Sequence, residues 1–174
     1  MIGEIVGKYR ITGQLGEGGM SVVWAAVDEG LGRPVVIKML HHQLAVQEAF
    51  VSRLKNEARA AARIRHPGIV VVYEIDQHTD RNWYIAMERL QGEPLARRLD
   101  RDGKLPEATA VLLTRQVATA LSAAHAEEIV HRDLTPDNIF LVPDTDVPGG
   151  ERDLGLVRAI QDRGRAGGSD RAER

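Results

Sequence analysis

The chain has 174 residues, of which 43% are hydrophobic, and a formal net charge of −2 at pH 7. This size and apolar content suffice for a globular domain with a buried core. The nearly balanced charge argues against broad electrostatic attraction to nucleic acid, and the absence of cysteine excludes disulfides and thiolate metal sites. Neither a signal-peptide pattern nor an apolar run of membrane-spanning length occurs, so we expect a cytoplasmic protein without a membrane segment.

Residues 9–88 predict a sheet of five strands and one helix. The first predicted strand is Tyr9–Leu15, in which Tyr9, Ile11 and Leu15 fall on odd positions and would share one face. Four short apolar runs, separated by polar or glycine-containing segments, predict the others: Val22–Val27, Val35–Met39, Ile69–Tyr73 and Trp83–Met87. Between the third and fourth runs, apolar residues recur at spacings of three and four. They predict a helix with one buried face, which Pro67 brings to an end: Phe50, Leu54, Ala58, Ala61 and Ile64.

Residues 89–160 have the character of a helical region. Leu95–Leu99 predicts a short helix, and a longer helix is predicted to begin at Pro106, because proline fits the first turn of a helix. Residues 161–174 carry glycines and alternating charges, with only two alanines as apolar side chains, and we expect a disordered tail there. The buried face of the longer helix would contain Val111, Val117, Leu121 and Ala124.

The segment His131–Asn138 carries the most specific chemical signal in the chain. Asp133 and Asn138 lie five positions apart, between the apolar pair Ile129–Val130 and the apolar run Ile139–Val142. A carboxylate in such a loop can accept the proton of an attacking hydroxyl, and an amide oxygen can help to hold a magnesium ion. The pattern predicts phosphoryl transfer and resembles the catalytic loop of protein kinases.

A glycine-rich segment lies between the first two predicted strands. Glycines let a tight hairpin bring backbone N–H groups close to phosphate oxygens, because no Cβ intervenes. The segment alone also fits an ordinary hairpin turn, whereas a dinucleotide-binding loop would need a helix directly after it, where we predict a strand. It resembles the nucleotide-binding loop of many bacterial serine/threonine kinases, and its residues are Leu15, Gly16, Glu17, Gly18, Gly19, Met20, Ser21, Val22 and Val23.

Lys38 and Glu57 form a candidate ion pair. Lys38 lies at the end of an apolar strand, where its ammonium group faces a desolvation cost unless it meets an anion. Glu57 borders the apolar face of the predicted helix, three residues after Leu54 and four before Ala61. The alternatives are a lysine on an edge strand that reaches water, and a boundary glutamate whose side chain extends outward.

The tripeptide Asp153–Gly155 (Asp-Leu-Gly) resembles the Asp-Phe-Gly magnesium motif and lies fifteen residues after Asn138. The apolar and basic residues 156–158 that follow also agree with the resemblance. The family normally has a short apolar strand directly before this aspartate. Residues 147–152 contain a proline and two glycines, and they do not predict such a strand.

Taken in this order, the motifs resemble the bacterial members of the eukaryotic-like, or Hanks-type, serine/threonine protein kinases over residues 9–158. The resemblance implies an α+β, protein-kinase-like fold. A complete N-lobe (9–88), with a five-stranded antiparallel sheet and one helix, would be followed by only the first part of the helical C-lobe (89–160). The resemblance also implies an enzyme that uses ATP and Mg²⁺ and phosphorylates serine or threonine hydroxyls of a protein substrate.

The resemblance assigns a role to each candidate site residue. Asp133 would orient and deprotonate the hydroxyl. Lys38 and Glu57 would clamp the phosphates, while Asn138 and Asp153 would hold magnesium. The glycine-rich segment would cover the phosphates, and a further group would surround the adenine: Val36, Met87, Glu88 and Leu90.

Two departures from the family pattern add to these expectations. Thr135 stands where serine/threonine kinases normally place a lysine that neutralises the transferred phosphoryl group, so we expect a slower chemical step. Only sixteen residues follow Arg158, which leaves no counterpart for the activation segment and later helices and predicts a truncated chain.

One alternative to an active kinase is a catalytically impaired kinase-like module that binds nucleotide or a protein partner. Another is an unrelated α+β binding domain, in which Lys38 and Glu57 would not lie close together.

Overall fold

The computed structural model describes residues 1–78 and 82–143, together with the backbone of residues 154–159. Its N-terminal part is built on six strands: β1 (Ile5–Val6), β2 (Tyr9–Glu17), β3 (Ser21–Asp28), β4 (Arg33–Leu40), β5 (Val72–Gln77) and β6 (Trp83–Glu88). All neighbouring strands are antiparallel, in the order β1-β2-β3-β4-β6-β5. β4 therefore lies inside the sheet, with a neighbour on each side.

The five predicted strands are present, and the differences from the prediction lie at the two edges of the sheet. β1 adds a two-residue strand that pairs with the start of β2. β5 begins at Val72 and continues to Gln77, four residues past the predicted end at Tyr73. Because β5 carries Glu74 and Asp76 on a half-exposed edge, it lacks the continuous apolar run on which the prediction rested.

Two register shifts in β2 decide where its side chains lie. Tyr9 and Ile11 are buried, as the period-two alternation of a strand predicts. Irregularities between Ile11 and Gly13 and between Gln14 and Gly16 shift the pairing with β3. The alternation consequently does not continue to Leu15, which is 52% exposed.

Two helices follow β4. α1 (His42–Ala45) is a single turn, and α2 (Glu48–Arg63) is the predicted helix. α2 buries Leu54 and Ala58 in a cluster with residues of β5 and β6. The helix ends at Arg63, so Ile64 is buried in an extended conformation and not as part of the helix.

The C-terminal part combines helices with a small sheet. Its elements are β7 (Glu93–Pro94), α3 (Leu95–Asp102), α4 (Glu107–Ala126), a 3₁₀ turn (Pro136–Asn138), β8 (Ile139–Pro143) and β9 (Leu154–Ala159). β7, β8 and β9 form an antiparallel sheet in that order. The core between this sheet and the helices is an apolar cluster: Leu95, Leu113, Val117, Ile139 and Leu141.

The predicted buried face of α4 is wrong at one position. Val117 and Ala124 are buried, but Val111 is 62% exposed, and the buried residue of that turn is Leu113. Residues two positions apart lie roughly 200° apart around a helix, so Val111 and Leu113 face opposite directions. Residues 110–113 are all apolar, and the sequence there contains no polar position that identifies the exposed side.

A polar cluster joins the start of β2 to β5 and β6. The Glu74 carboxylate accepts a hydrogen bond from the Tyr84 hydroxyl at 2.9 Å, and its second oxygen lies 2.9 Å from the Lys8 ammonium. Burial, together with this hydrogen bond, raises the pKa of Tyr84 well above its ordinary value, and the hydrogen bond to Glu74 raises the pKa of Lys8. Burial also raises the pKa of Tyr9, whose ring meets Tyr84 edge-on.

Within the described ranges, no helix is both long and apolar enough to cross a membrane. The predicted tail, 161–174, lies outside the described residues. The predicted division between residues 88 and 89 stays a prediction, and β6 ends at Glu88.

Candidate active site

Lys38 and Glu57 form a buried ion pair between β4 and α2. Lys38 Nζ lies 3.0 Å from Glu57 Oε1, and the two side chains are 9% and 10% exposed. Within the sheet Lys38 pairs with Val23 of β3 and Ile85 of β6, so it does not lie on an edge strand. The edge-lysine and outward-glutamate alternatives are therefore wrong. Two charges at this depth depend on each other, because burying either charge alone would cost several kcal/mol, on the order of 3–5.

The glycine-rich segment forms the turn between β2 and β3. The Gly18 N–H donates to the Ser21 carbonyl at 2.9 Å, and β3 begins directly at Ser21. A strand and not a helix follows the glycines, which excludes the dinucleotide-binding alternative. Met20 and Ser21 line one cavity together with Lys38 and Glu57, so the tip of the turn lies beside the buried ion pair.

The residues predicted to surround adenine lie around the end of β6. Val36 of β4 pairs with Met87, and Glu88 ends the strand. The Glu88 N–H donates to the Val71 carbonyl at 2.9 Å, and its side chain accepts the Val71 N–H at 2.7 Å. Leu90 follows two residues later and is partly buried. The sheet thus brings Val36, Met87 and Glu88 together and fixes the Glu88 backbone.

A second cavity links the N-terminal sheet to the catalytic loop. Its wall includes Glu57 from α2, Met87 from β6 and the buried His131. Glu57 also lines the cavity beside the glycine-rich turn, so the ion pair lies between that turn and the start of the catalytic loop. His131 is absent from the predicted site residues, although its place two residues before Asp133 is a signal that could have identified it.

Asn138 and Asp133 are held together inside the catalytic loop. The Asn138 side-chain NH₂ donates to the Asp133 carbonyl at 2.8 Å and to the Asp133 carboxylate Oδ2 at 3.1 Å. Both partners are acceptors, so they fix the NH₂ end toward Asp133 and turn the Oδ1 end away from it. The Asn138 N–H also donates to the Thr135 carbonyl, and Arg132 has a φ of 63°. This left-handed residue produces a sharp bend directly before Asp133.

Asp153 lies outside the described residues, but the strand that begins next to it is defined. β9 is antiparallel to β8, with Leu154 opposite Pro143 and Ala159 opposite Ile139. Because Ile139 directly follows Asn138, the end of β9 lies beside Asn138, and its beginning is four positions, or about 13 Å, further along β8. β9 therefore begins inside the Asp-Leu-Gly motif, at Leu154, and the metal role of Asp153 stays a proposal.

His41 makes a contact that the sequence did not predict. Its Nε2 lies 2.8 Å from the Gly18 carbonyl oxygen, across 23 positions of the chain. The neighbouring His42 contacts Asn82 Oδ1 at 3.1 Å, so the two adjacent histidines serve different partners. No local pattern in the sequence indicates the contact between His41 and the glycine-rich turn.

These features define a class of protein. An antiparallel sheet that holds a buried lysine–glutamate pair beside a glycine-rich turn, followed by helices and an aspartate–asparagine loop, is the architecture of a protein kinase. Comparison with known proteins agrees: the model of the protein kinase domain family matches residues 9–167, and the chain belongs to this family. The predicted kinase-like fold, with an N-lobe and the first part of a C-lobe, is confirmed.

Several similar proteins are bacterial serine/threonine kinases or kinase domains. The chain is 40% identical to serine/threonine-protein kinase pkn3 of Myxococcus xanthus, over 81% of this chain and 26% of the relative. It is 37% identical to PknA of Mycobacterium tuberculosis, over 88% of this chain and 36% of the relative. The M. tuberculosis PknI kinase domain superposes with a TM-score of 0.74 at 25% identity, over 92% of this chain and 60% of that domain. The chain thus spans only about a quarter to a third of the length of the curated relatives it matches.

Proposed function

We propose that this domain transfers the γ-phosphate of ATP, bound with Mg²⁺, to a serine or threonine hydroxyl of a protein in the cytoplasm. The buried Lys38–Glu57 pair carries the proposal, because it lines one cavity with the glycine-rich turn. Glu57 fixes a cation next to a turn whose backbone N–H groups can approach phosphate oxygens closely. A fixed cation beside such a turn suits the phosphate groups of a nucleoside triphosphate.

The nucleotide would lie between the glycine-rich turn and the end of β6. The backbone of residues 16–21 and the Lys38 ammonium would contact the phosphates, and the backbone of Glu88 and Leu90 would hydrogen-bond the adenine edge. Leu15 is an apolar side chain with half of its surface exposed, and adenine would cover it from solvent. Binding of the base therefore removes apolar surface from water, which favours the complex.

Transfer would proceed by in-line attack on the γ-phosphorus. The substrate hydroxyl oxygen forms a bond to this phosphorus, the bond to the β–γ bridging oxygen breaks, and ADP leaves. The Asp133 carboxylate would orient the hydroxyl and accept its proton. Asn138 holds that carboxylate in place through the 3.1 Å contact.

The residues of the catalytic loop fit a magnesium ion. The Oδ1 end of Asn138 is turned away from Asp133, and amide and carboxylate oxygens are the ligands that Mg²⁺ prefers. When bound, magnesium would neutralise charge on the phosphate oxygens. Asn138 and Asp153 are the proposed protein ligands.

A magnesium titration of ATP binding tests the assignment of Asp153. Asp153→Asn should raise the magnesium concentration needed for half-maximal ATP binding. The matched control is Asp162→Asn, since Asp162 follows the end of β9 that lies beside Asn138. A raised magnesium requirement in Asp162→Asn alone would move the metal role from Asp153 to Asp162.

A transfer assay with γ-labelled ATP tests the proposed reaction. The full chain is incubated with Mg·ATP and dephosphorylated casein as a general hydroxyl substrate, and phosphate incorporation is measured over time. Asp133→Asn should lower the rate by about 10²–10⁴-fold, because it removes the proton acceptor. The control Asp137→Asn changes an exposed carboxylate of the same loop and should leave the rate within about twofold. Equal incorporation by wild type and Asp133→Asn would remove the enzyme assignment.

A second candidate is a kinase-like module that binds Mg·ATP without efficient transfer. Thr135 favours it, because this side chain supplies no charge where the family has lysine. Isothermal titration calorimetry with Mg·ATP distinguishes the two. Mg·ATP binding by wild type, without incorporation that depends on Asp133, would support the binding module.

A further inference from the structure

We propose that His41 is a positioning residue for the glycine-rich turn, which it ties to the strand that carries Lys38. His41 follows β4 directly and contacts the turn twice. Its Nε2 lies 2.8 Å from the Gly18 carbonyl oxygen, and its backbone N–H donates to the Met20 carbonyl at 3.0 Å. The nucleotide part of this inference rests on the proposed function, whereas the tie itself is a property of the chain without nucleotide.

The contact requires a proton on one particular nitrogen of the His41 ring, Nε2. A backbone carbonyl oxygen only accepts hydrogen bonds, so His41 Nε2 carries the proton. The neutral Nε2–H tautomer and the imidazolium form can both donate it. The contact thus defines Nε2 as the donor and the Gly18 carbonyl oxygen as the acceptor.

The side-chain contact controls the peptide group that follows Gly18. Two consecutive glycines, Gly18 and Gly19, give the turn wide conformational freedom. The Gly18 carbonyl and the Gly19 N–H belong to one planar trans peptide and point in opposite directions. Because His41 holds the carbonyl, it directs the Gly19 N–H away from the imidazole ring. One candidate phosphate donor is thus oriented before any nucleotide binds.

Helix α2 restrains the same part of the turn. Arg53 Nη1 lies 3.8 Å from Met20 Sδ, and Arg53 precedes Glu57 by one helical turn. Arg53 and Met20 also line the cavity that contains the Lys38–Glu57 pair. The turn is therefore fastened to both elements that hold the ion pair: to the end of β4 through His41 and to α2 through Arg53.

Hydrogen–deuterium exchange of the nucleotide-free chain tests the tie directly. His41→Ala should increase exchange in peptides that cover residues 15–23 by about three- to tenfold, since one hydrogen bond to the turn is lost. His41→Gln keeps an N–H donor at a similar reach and should restore part of the protection. The matched control is His42→Ala, because His42 contacts Asn82 and not the turn. Thermal melting monitored by circular dichroism shows whether each variant is folded.

A second measurement asks whether the tie positions the turn for nucleotide. In His41→Ala the Kd and KM for Mg·ATP should rise about three- to tenfold, while kcat stays within about twofold, because His41 does not contact the catalytic loop. Unchanged exchange in folded His41→Ala would overturn the tie. Increased exchange with an unchanged Kd would overturn the positioning role. If wild type itself fails to bind Mg·ATP, the proposed function fails, and the exchange data still decide whether the tie exists.

Discussion

The N-lobe and the described part of the C-lobe differ in how completely they bury apolar side chains. The main N-lobe core contains nine residues that are each at most 3% exposed, among them Tyr9, Ile37 and Tyr84. The C-lobe cluster contains five residues at 4–7%, and α4 leaves Val111 and Leu112 62% and 45% exposed. The nucleotide-binding half of the proposed site therefore packs against a fully buried core. The catalytic loop belongs to the C-lobe, whose helix α4 still exposes apolar side chains to solvent.

Breaking the ion pair inside the N-lobe should have the largest effect on stability. Lys38→Met leaves the Glu57 carboxylate buried without the lysine charge, and the free energy of unfolding should fall by about 3–5 kcal/mol. The double variant Lys38→Met/Glu57→Leu removes both charges and should recover most of that loss. Urea denaturation followed by circular dichroism measures the three proteins.

Lys55→Met is the matched control for this series. Lys55 is a lysine of α2 whose ammonium lies 3.7 Å from the centroid of the Trp83 ring. Losing this cation–π contact should cost about 0.5–1 kcal/mol. A Lys38→Met cost no larger than that of Lys55→Met would contradict the buried ion pair.

The next effect compares the cores of the two lobes. Ile37→Ala, at a fully buried N-lobe position, should cost about 3–4 kcal/mol, and Leu113→Ala in the smaller C-lobe cluster about 2–3 kcal/mol. Val111→Ala changes an exposed residue two positions from Leu113 and should cost at most about 0.5 kcal/mol. Equal costs at Val111 and Leu113 in urea denaturation would show that the buried side of α4 is assigned wrongly.

A smaller effect concerns the chemistry of the C-lobe. Thr135→Lys places a positive charge where the family normally has one, and kcat should rise about tenfold because the charge on the transferred phosphoryl group is better balanced. The KM for Mg·ATP should change by less than about twofold, since the N-lobe contacts are untouched. Steady-state kinetics with casein gives both values. Thr135→Ser serves as the neutral control, and an unchanged kcat in Thr135→Lys would remove Thr135 as the cause of a slow chemical step.

The smallest effect is a pH dependence at the start of the C-lobe. Arg101 donates two hydrogen bonds to the Glu93 carboxylate, at 2.6 and 2.8 Å. These hydrogen bonds are the main reason why the pKa of Glu93 is lowered. A lowered pKa means that the stabilisation is present above the ordinary glutamate value near about 4.3 and is lost as the pH falls below it. Glu93→Gln should therefore lower the Tm by about 2 °C at pH 7, and this difference from wild type should shrink as the pH falls toward 3.

Thermal melts at pH 7, 5 and 3 measure this dependence. Asp100→Asn, at an exposed carboxylate of α3, the helix that carries Arg101, is the control and should change the Tm little at any pH. A difference between wild type and Glu93→Gln that grows toward acid would contradict the sign of the effect.

Most of the N-lobe could be predicted from the sequence because its strands contain short apolar runs and α2 has a clear apolar periodicity. The Lys38–Glu57 contact was predictable only from the resemblance to protein kinases, because the pattern of the residues also fitted a lysine that reaches water and a glutamate that extends outward. β1 has only two residues and therefore no periodicity. The exposure of Val111 was not predictable, because the apolar residues around it leave that turn without a polar side.

Within the candidate site, the contacts that could not be predicted join segments that lie far apart in the sequence. Asp133 and Asn138 lie five positions apart in one short loop, so the sequence placed both in the same part of the site, and the structure adds the hydrogen bond between them. The contact between His41 and Gly18 depends on how β4 closes against the β2–β3 turn, and no local pattern encodes it. The place of the Asp-Leu-Gly motif likewise depends on the register between β8 and β9, which a three-residue match does not determine.

Isothermal titration calorimetry with Mg·ATP is the most direct test of the central claim, that the buried Lys38–Glu57 pair belongs to a nucleotide site. The comparison uses wild type and Lys38→Met/Glu57→Leu, the variant expected to stay folded without the two charges. We expect one Mg·ATP to bind per wild-type chain and the affinity to be at least about tenfold weaker in the double variant. Equal affinity in two folded proteins would contradict it.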